Sequence, residues 1–170
     1  MNLKSYIRDI VDFPKKGIVF KDITPLLHNP EALKTAVKLL ADSVIGKDIT
    51  QVVGIESRGF IFGAAVAVEL GVGFIPIRKP GKLPAETLSE SYTLEYGTDT
   101  IEMHRDALTA NDRVLIVDDL LATGGTVQAA VKLVEQTGAE VTKITFVIEL
   151  EFLNGREKIR GYDVLSLIKY

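Results

Sequence analysis

The sequence predicts an α/β fold with a mainly parallel central sheet flanked by helices. The apolar runs at 52–55 and 114–117 are continuous rather than alternating, which is typical of parallel strands buried on both faces. Each run is followed by a segment with helical spacing, and such alternation is typical of βαβ units. Because the chain of 170 residues contains no repeat, linker or low-complexity tract, we expect one domain spanning residues 1–170.

The N-terminal region predicts two helices. Apolar residues recur at helical spacing over 3–11 until Phe13-Pro14 interrupts them, so we expect a short amphipathic helix there. A loop is expected from Lys15 to His28. The next residues, Asn29-Pro30-Glu31, combine an N-cap, a first-turn proline and a first-turn acid, and they predict a helix that ends near Gly46.

The remaining elements are predicted from apolar runs and helical stripes. In chain order they are the strand Gln51–Ile55, the helix Phe60–Leu70, the strands Gly73–Arg78 and Arg113–Val117, the helix Thr126–Thr137 and the strand Val141–Leu150. Between Lys79 and His104 the pattern changes to alternating segments, which predicts a long and partly antiparallel excursion. A connection of this length in a compact domain is often functional, so we expect it to act as a lid.

Composition excludes several classes of protein. With no cysteine and two histidines, a disulfide framework, a thiol nucleophile and the common zinc sites are excluded, and any metal must be held by oxygen. A net charge of −3 lacks the basic footprint of a nucleic-acid binder. Charged residues interrupt the N-terminal apolar stretch, and no apolar run reaches the about 20 residues of a membrane helix. We therefore expect a cytoplasmic protein with neither nucleic-acid nor membrane partners.

The densest chemical signal follows the run at 114–117, where Asp118 and Asp119 precede a turn of small residues, 122–126. This turn is expected at the carboxyl end of a parallel strand, where open α/β sheets bind ligands. It could bind a phosphate monoester through its backbone amides, its hydroxyl groups and the dipole of the helix that follows. Two carboxylates beside an anion are unfavourable unless they contact a sugar diol or a cation such as Mg²⁺. The pattern therefore indicates a sugar phosphate, although a solvated acid pair beside an ordinary helix cap stays open on spacing alone.

This run resembles the motif that binds 5-phosphoribosyl 1-pyrophosphate (PRPP) in type I phosphoribosyltransferases. Other segments resemble, in sequence order and over nearly the whole chain, the signatures of adenine phosphoribosyltransferases: 13–25, Glu56-Ser57-Arg58-Gly59-Phe60, 78–84 and 91–97. The resemblance implies the type I phosphoribosyltransferase fold, with a hood region and a long flexible lid loop. It also implies transfer of the phosphoribosyl group from PRPP to adenine in purine salvage, forming AMP and pyrophosphate, with Mg²⁺ as cofactor and a homodimer as the assembly.

The resemblance also implies residue roles. The PRPP ribose and 5-phosphate would be bound by Asp118, Asp119, Ala122, Thr123, Gly124, Gly125 and Thr126. Pyrophosphate would be bound by Glu56, Ser57, Arg58, Gly59, Arg78, Lys79 and Lys82, with a cis peptide between Glu56 and Ser57. Adenine would be bound by Val19, Phe20, Lys21 and Leu120, with Phe20 stacking on the base. The implied catalytic residues are Glu95, Arg58 and Lys82, with Glu95 as general acid–base near the purine. No direct metal ligand is assigned, and Asp118 and Asp119 are the candidates.

Plainer roles stay open for several of these residues. Arg58 could form a surface ion pair with Glu56, Phe20 could be a core aromatic residue, and Glu95 could pair with a cation across the excursion. The basic turn that contains Arg78, Lys79 and Lys82 could simply be solvated.

Three alternative functions are weighed against adenine transfer. A phosphoribosyltransferase for a 6-oxopurine would usually carry an aspartate where this loop has Ala122. A non-catalytic regulator that senses PRPP would lack a competent lid or Glu95. A Mg²⁺ phosphohydrolase with Asp118 as nucleophile fits poorly, because the glycine turn follows the acids so directly. Adenine transfer is therefore the predicted function.

Overall fold

The computed structural model describes residues 1–94 and 96–170. Its strands are β1 Arg8–Val11, β2 Val19–Asp22, β3 Gln51–Ile55, β4 Gly73–Ile77, β5 Thr87–Thr93, β6 Thr98–His104, β7 Arg113–Leu121, β8 Glu140–Glu149 and β9 Val164–Lys169. Its α-helices are α1 Thr24–His28, α2 Pro30–Asp42, α3 Gly59–Leu70 and α4 Gly125–Gln136. Three short 3-10 helices lie at Leu3–Tyr6, Glu151–Leu153 and Gly155–Ile159.

The predicted parallel sheet is confirmed. Five strands lie in the order β4-β3-β7-β8-β9, and all neighbouring pairs are parallel. The register aligns Ile75, Val53, Ile116, Ile144 and Val164 in one row across the sheet. Because all the carboxyl ends meet at one edge, the turns after β3, β4 and β7 lie side by side there.

Both faces of the central sheet are buried, as continuous apolar strands require. One face packs against α4 and the β5–β6 hairpin through residues such as Val53, Ile116 and Met103. The opposite face packs against α1, α2 and α3 through residues such as Leu115 and Phe62. The sheet is therefore the middle layer of the domain, and a site can form where the carboxyl ends of its strands meet.

The structure corrects the N-terminal prediction. A 3-10 helix covers only Leu3–Tyr6, and the following residues form β1, which pairs antiparallel with β2. Residues expected in a loop therefore form β2 and α1 instead. The helix after Asn29 is confirmed, and the Asn29 side chain accepts a hydrogen bond from the Ala32 amide at 2.9 Å. We call the two-stranded β1–β2 sheet the hood.

The excursion between β4 and β7 is an antiparallel hairpin of β5 and β6. Its predicted antiparallel character is confirmed, and its action as a flexible lid stays a prediction. Strand β9, which was not predicted from the sequence, completes the central sheet beside β8. Within the described part of the chain, no helix is long and apolar enough to cross a bilayer.

Candidate active site

The phosphate loop, residues 122–126, lies between the end of β7 and the start of α4. Gly124 has φ +82°, and a Cβ atom there would lie 2.4 Å from the Gly155 carbonyl oxygen. Gly124 is therefore required both by its backbone conformation and by the space around it. The loop and Asp118 line a small concavity of about 70 Å³ at the N-terminus of α4, where backbone amides and the helix dipole favour an anion.

Asp118 and Asp119 lie in the second half of β7, shortly before this loop. The Asp118 carboxylate accepts a hydrogen bond from the Asp119 amide at 2.9 Å, and Asp119 is only 6% exposed. Burial, with the adjacent Asp119 charge, raises the pKa of Asp118 well above its ordinary value. Burial also raises the pKa of Asp119, and the nearby Arg58 opposes that rise. Both carboxyl groups would thus be stabilised as anions by a ligand that donates hydrogen bonds or carries positive charge.

The loop after β3 faces the acid pair. The cis peptide expected between Glu56 and Ser57 is present. A Cβ atom at Gly59 would lie 2.6 Å from an Asp118 carboxylate oxygen, so only glycine lets the start of α3 approach the acid this closely. Arg58 forms an ion pair with Asp119, with 2.8 Å between Nε and a carboxylate oxygen. The loop after β3 is therefore in direct contact with the acid pair of β7 at the carboxyl edge of the sheet.

Glu56 organises the basic turn after β4. Its carboxylate accepts hydrogen bonds from the Lys79 amide at 2.9 Å and from Arg78 Nε at 3.2 Å. The Lys79 amide, together with Arg78, outweighs the effect of burial and holds the pKa of Glu56 below its ordinary value. The Glu56 side chain is thus committed to orienting Arg78 and Lys79. Lys82 is exposed on the same turn, and no ion pair to it occurs among the described residues.

Lys79 links this turn to the hairpin. Its ammonium contacts the Asp99 carboxylate, and the Tyr92 hydroxyl donates to the same carboxylate at 3.1 Å. Burial alone would lower the pKa of Lys79, but the contacts with Asp99 and Tyr92 together outweigh it and raise that pKa. Neither Asp99 nor Tyr92 was predicted as a site residue. Tyr92 shares one face of β5 with the partly buried Leu88, and this period of two was the only signal in the sequence.

One cleft of about 560 Å³ joins most of these groups. It is lined by Ile55, Glu56, Ser57, Arg58, Lys79, Tyr92, Asp118, Asp119, Leu120, Ala122 and Thr126. Residues predicted separately for ribose, phosphate and pyrophosphate binding therefore share a single cavity. Arg78 and Lys82 lie beside it rather than in its lining, and Glu95 lies outside the residues that the structure describes.

The predicted adenine residues of the hood point in different directions. Phe20 contacts Phe13 edge to face, with 5.2 Å between ring centroids, and the Arg58 guanidinium lies 5.3 Å from the Phe20 ring. Lys21 instead donates to Asp9 at 2.8 Å, on the other face of β2, and Val19 is exposed. Arg58 therefore connects the predicted base-binding aromatic ring to the acid pair. Its expected contact with pyrophosphate stays a prediction.

The donor set at the acid pair fits a divalent cation carried by a substrate. Among the described residues, no group of three or more acidic or histidine side chains is arranged to hold a metal ion. The two adjacent carboxylates are the kind of partial set that Mg²⁺ accepts when phosphate and water oxygens complete its coordination. The residues thus fit Mg²⁺ bound together with a polyphosphate, and they do not form a complete cage of protein ligands.

Comparisons with known proteins agree over the whole chain. Residues 23–168 match the phosphoribosyl transferase domain family. The chain is 61% identical to an adenine phosphoribosyltransferase of Alkaliphilus metalliredigens, covering 100% of both chains. A crystal structure of adenine phosphoribosyltransferase from Thermoanaerobacter pseudethanolicus superposes with a TM-score of 0.96 at 56% identity, covering 99% of this chain and 98% of that one. The Giardia lamblia enzyme complexed with 9-deazaadenine superposes with a TM-score of 0.93 at 43% identity, covering 99% and 96%.

Proposed function

The chain belongs to the adenine phosphoribosyltransferase family and transfers the 5-phosphoribosyl group of PRPP to adenine, and we propose that this reaction takes place in the cleft at the carboxyl edge of its sheet. The products are AMP and pyrophosphate, which makes the reaction a step of purine salvage. The observation that carries the proposed location is the convergence of the phosphate loop, the acid pair and the loop after β3 on one cavity.

The phosphate loop anchors the substrate. Amides at the start of α4 and the hydroxyls of Thr123 and Thr126 bind the 5-phosphate, while Asp118 and Asp119 accept hydrogen bonds from the ribose hydroxyls. Positive charge develops on the ribosyl group as its bond to pyrophosphate breaks. The two carboxylates stabilise that charge because they lie largely out of contact with water, which weakens screening.

The leaving pyrophosphate lies toward the loop after β3 and the basic turn. Arg58 exchanges Asp119 for pyrophosphate oxygens, where its planar fork supplies geometry as well as charge. Lys79, already held in the cleft by Asp99, adds a second positive charge, and Lys82 is the third. Asp118 and Asp119 would help to hold Mg²⁺ bound with PRPP, and the cation would neutralise charge on the departing group.

Adenine binds between the hood and Leu120. Phe20 covers one face of the base, Leu120 covers the other, and backbone groups from Val19 to Lys21 meet its edge. A backbone carbonyl at Val19 accepts from the 6-amino group, which a 6-oxopurine lacks. Glu95 shares a proton with the base while N9 attacks the anomeric carbon, so that negative charge does not build up on the purine.

The assembly that we propose is a homodimer. Helix α3, which begins at the pyrophosphate loop, is apolar except for Glu69 and leaves Ile61 and Val68 exposed, Val68 to 82%. Such a face is stabilised by burial against a second copy of the same chain. A cytoplasmic location remains the expectation from the sequence.

A pyrophosphate-release assay tests the reaction. With Mg²⁺, PRPP and one purine at a time, we expect pyrophosphate release with adenine and about 10⁴-fold lower kcat/KM with hypoxanthine or xanthine, because a buried acceptor at the 6-position would be left unsatisfied. If none of the three purines leads to pyrophosphate release, the proposed activity is contradicted. Equal turnover of the three bases would contradict the proposed base contacts only.

The acid pair is tested in the same assay. The double variant Asp118→Asn/Asp119→Asn should lower kcat/KM for PRPP by about 10²–10³, because it removes the charges that oppose the ribosyl cation. Asp106→Asn, at an exposed position after β6, is the matched control and should leave turnover unchanged. A double variant as active as this control would remove the acid pair from the mechanism.

A further inference from the structure

The segment between β8 and β9 closes the phosphate loop from behind. Gly155 is buried there, and a Cβ atom on it would lie 2.3 Å from the Ala122 carbonyl oxygen and 3.1 Å from the Gly124 amide nitrogen. The contact is reciprocal, since a Cβ atom on Gly124 would meet the Gly155 carbonyl at 2.4 Å. Backbone thus lies directly on backbone, so any movement of Gly155 moves the loop that binds the 5-phosphate.

The residue after this glycine is held by a fork of hydrogen bonds. Arg156 donates from Nε and Nη2 to the two carboxylate oxygens of Glu149, at 2.7 and 2.8 Å. It also donates to the Val164 carbonyl at 3.2 Å and to the Ser166 hydroxyl at 3.4 Å. Arg156 is therefore tied to both β8 and β9, and a bidentate pair of this kind fixes orientation as well as distance.

Glu149 itself is part of the edge that carries the loop. It is the last residue of β8, its side chain is 4% exposed, and it pairs in register with Leu121 at the end of β7. Burial alone would raise its pKa, but the hydrogen bonds from Arg156 and Ser166 outweigh burial and hold the pKa of Glu149 below its ordinary value. The glutamate is therefore ionised at neutral pH and able to hold the arginine in place.

A second tie fixes the other side of the loop. Gln128, in the first turns of α4, donates from Nε2 to the Lys158 carbonyl at 3.2 Å. The 3-10 helix Gly155–Ile159 therefore contacts the phosphate loop through Gly155 and helix α4 through Lys158. Neither Arg156 nor Glu149 lines the phosphate concavity or the larger cleft.

We propose that Arg156 is a positioning residue for the 5-phosphate loop, acting through Glu149 and the backbone of Gly155. This inference rests on the proposed function of that loop. The fork holds Gly155 against Ala122 and Gly124, so that the loop amides are oriented before the phosphate arrives and little free energy is spent on ordering them. Arg156 itself touches no substrate.

The chain offers a matched control at the opposite end of β8. Arg113 donates to Glu140, the first residue of β8, at 2.8 Å, and its side chain is 39% exposed, compared with 38% for Arg156. Both arginines thus join a glutamate of the same strand, but only Arg156 adjoins the phosphate loop. The test compares Arg156→Ala, Arg156→Lys and Arg113→Ala by the Kd for ribose 5-phosphate, the KM values for PRPP and adenine, and the Tm.

We expect Arg156→Ala to raise the Kd for ribose 5-phosphate and the KM for PRPP by about tenfold to a hundredfold, because a misplaced loop loses preorganised contacts. The KM for adenine should stay near the wild-type value. Arg156→Lys, which keeps the charge but not the fork, should lie between the wild type and Arg156→Ala. Arg113→Ala should lower Tm without changing the Kd for ribose 5-phosphate or the KM for PRPP.

Three results would overturn the proposal. One is a Tm loss in Arg156→Ala with an unchanged Kd for ribose 5-phosphate, and another is an equal Kd change in Arg113→Ala. If Arg156→Ala does not fold, Arg156→Lys decides, and a wild-type Kd in that variant is the third. Should the wild type release no pyrophosphate, the proposed function fails, while the Kd for ribose 5-phosphate still tests the positioning role separately.

Discussion

The phosphate loop and the hood, which we propose as the binding regions for the 5-phosphate and for adenine, are built differently. The loop grows out of the central sheet and is enclosed by Gly155 and α4, with backbone in contact with backbone. The hood is a two-stranded sheet in which the apolar residues Val11 and Val19 are exposed, as is Phe13 in the segment that joins its strands. Steric fit therefore maintains the loop, whereas the hood depends on specific polar contacts.

Those contacts centre on Asp22, at the end of β2. Its carboxylate accepts hydrogen bonds from the Thr24 amide at 2.9 Å, the Thr24 hydroxyl at 2.8 Å and Arg8 at 2.6 and 3.0 Å. Arg8 comes from β1, so one carboxylate joins both strands of the hood to α1. The difference teaches that anion recognition and base recognition in this domain should respond to different kinds of substitution.

The largest effect is expected from Gly124→Ala. The positive φ costs about 1 kcal/mol for a residue with a Cβ atom, and the clash with the Gly155 carbonyl adds about 1–3 kcal/mol. Gly46→Ala is the matched control, because φ is +76° there but nothing lies within 4 Å of the added carbon. Urea unfolding should show the larger loss for Gly124→Ala, together with about a hundredfold rise in the KM for PRPP. Equal losses in the two variants would mean that steric fit does not maintain the loop.

A smaller effect is expected from Asp22→Asn, which leaves the hydrogen bonds of the hood partly unmatched. The free energy of unfolding should fall by about 2 kcal/mol, and the KM for adenine should rise while the KM for PRPP does not. Asp42→Asn removes an exposed carboxylate that pairs with Lys38 on α2, and it should cost at most about 0.5 kcal/mol. A PRPP effect as large as the adenine effect would argue against separate control of the two regions.

The stability difference between the wild type and Asp22→Asn should also depend on pH. The Thr24 amide, reinforced by Arg8, outweighs burial and holds the pKa of Asp22 below its ordinary value of 3.8. A carboxylate with a lowered folded pKa contributes its full stability above the unfolded pKa and loses it as the pH falls through the folded pKa. The stability advantage of the wild type over Asp22→Asn should therefore be constant near neutral pH and disappear in strong acid.

The smallest effect is expected from Phe20→Leu. Loss of the edge-to-face contact with Phe13 should cost about 0.5–1.5 kcal/mol of stability. A weaker stack on the base should raise the KM for adenine by about fivefold, while the KM for PRPP is unaffected. Phe152→Leu, at an exposed ring outside the hood, serves as the control in the same kinetic assay. An unchanged KM for adenine would remove Phe20 from base recognition.

The sequence by itself determined four of the five strands of the central sheet and the residue types of the phosphate loop. The strand predicted at Gln51–Ile55 has those bounds in the structure, and the helix after Asn29 starts where its cap predicts. These features are local, because a buried strand, a cap or a glycine turn is specified by consecutive residues. For the same reason, the proposed phosphate-binding motif at 114–126 is recognisable from consecutive residues alone.

Only the tertiary structure decided the rest. Residues 8–11 carry helical spacing, yet they form β1 because β2 offers them a partner strand. The contact between Arg58 and Asp119, the link from Lys79 to Asp99 and the fork of Arg156 on Glu149 likewise join separate segments of the chain. Spacing along the chain carries no signal for such pairs, since their free energy comes from groups that meet only after the sheet has formed.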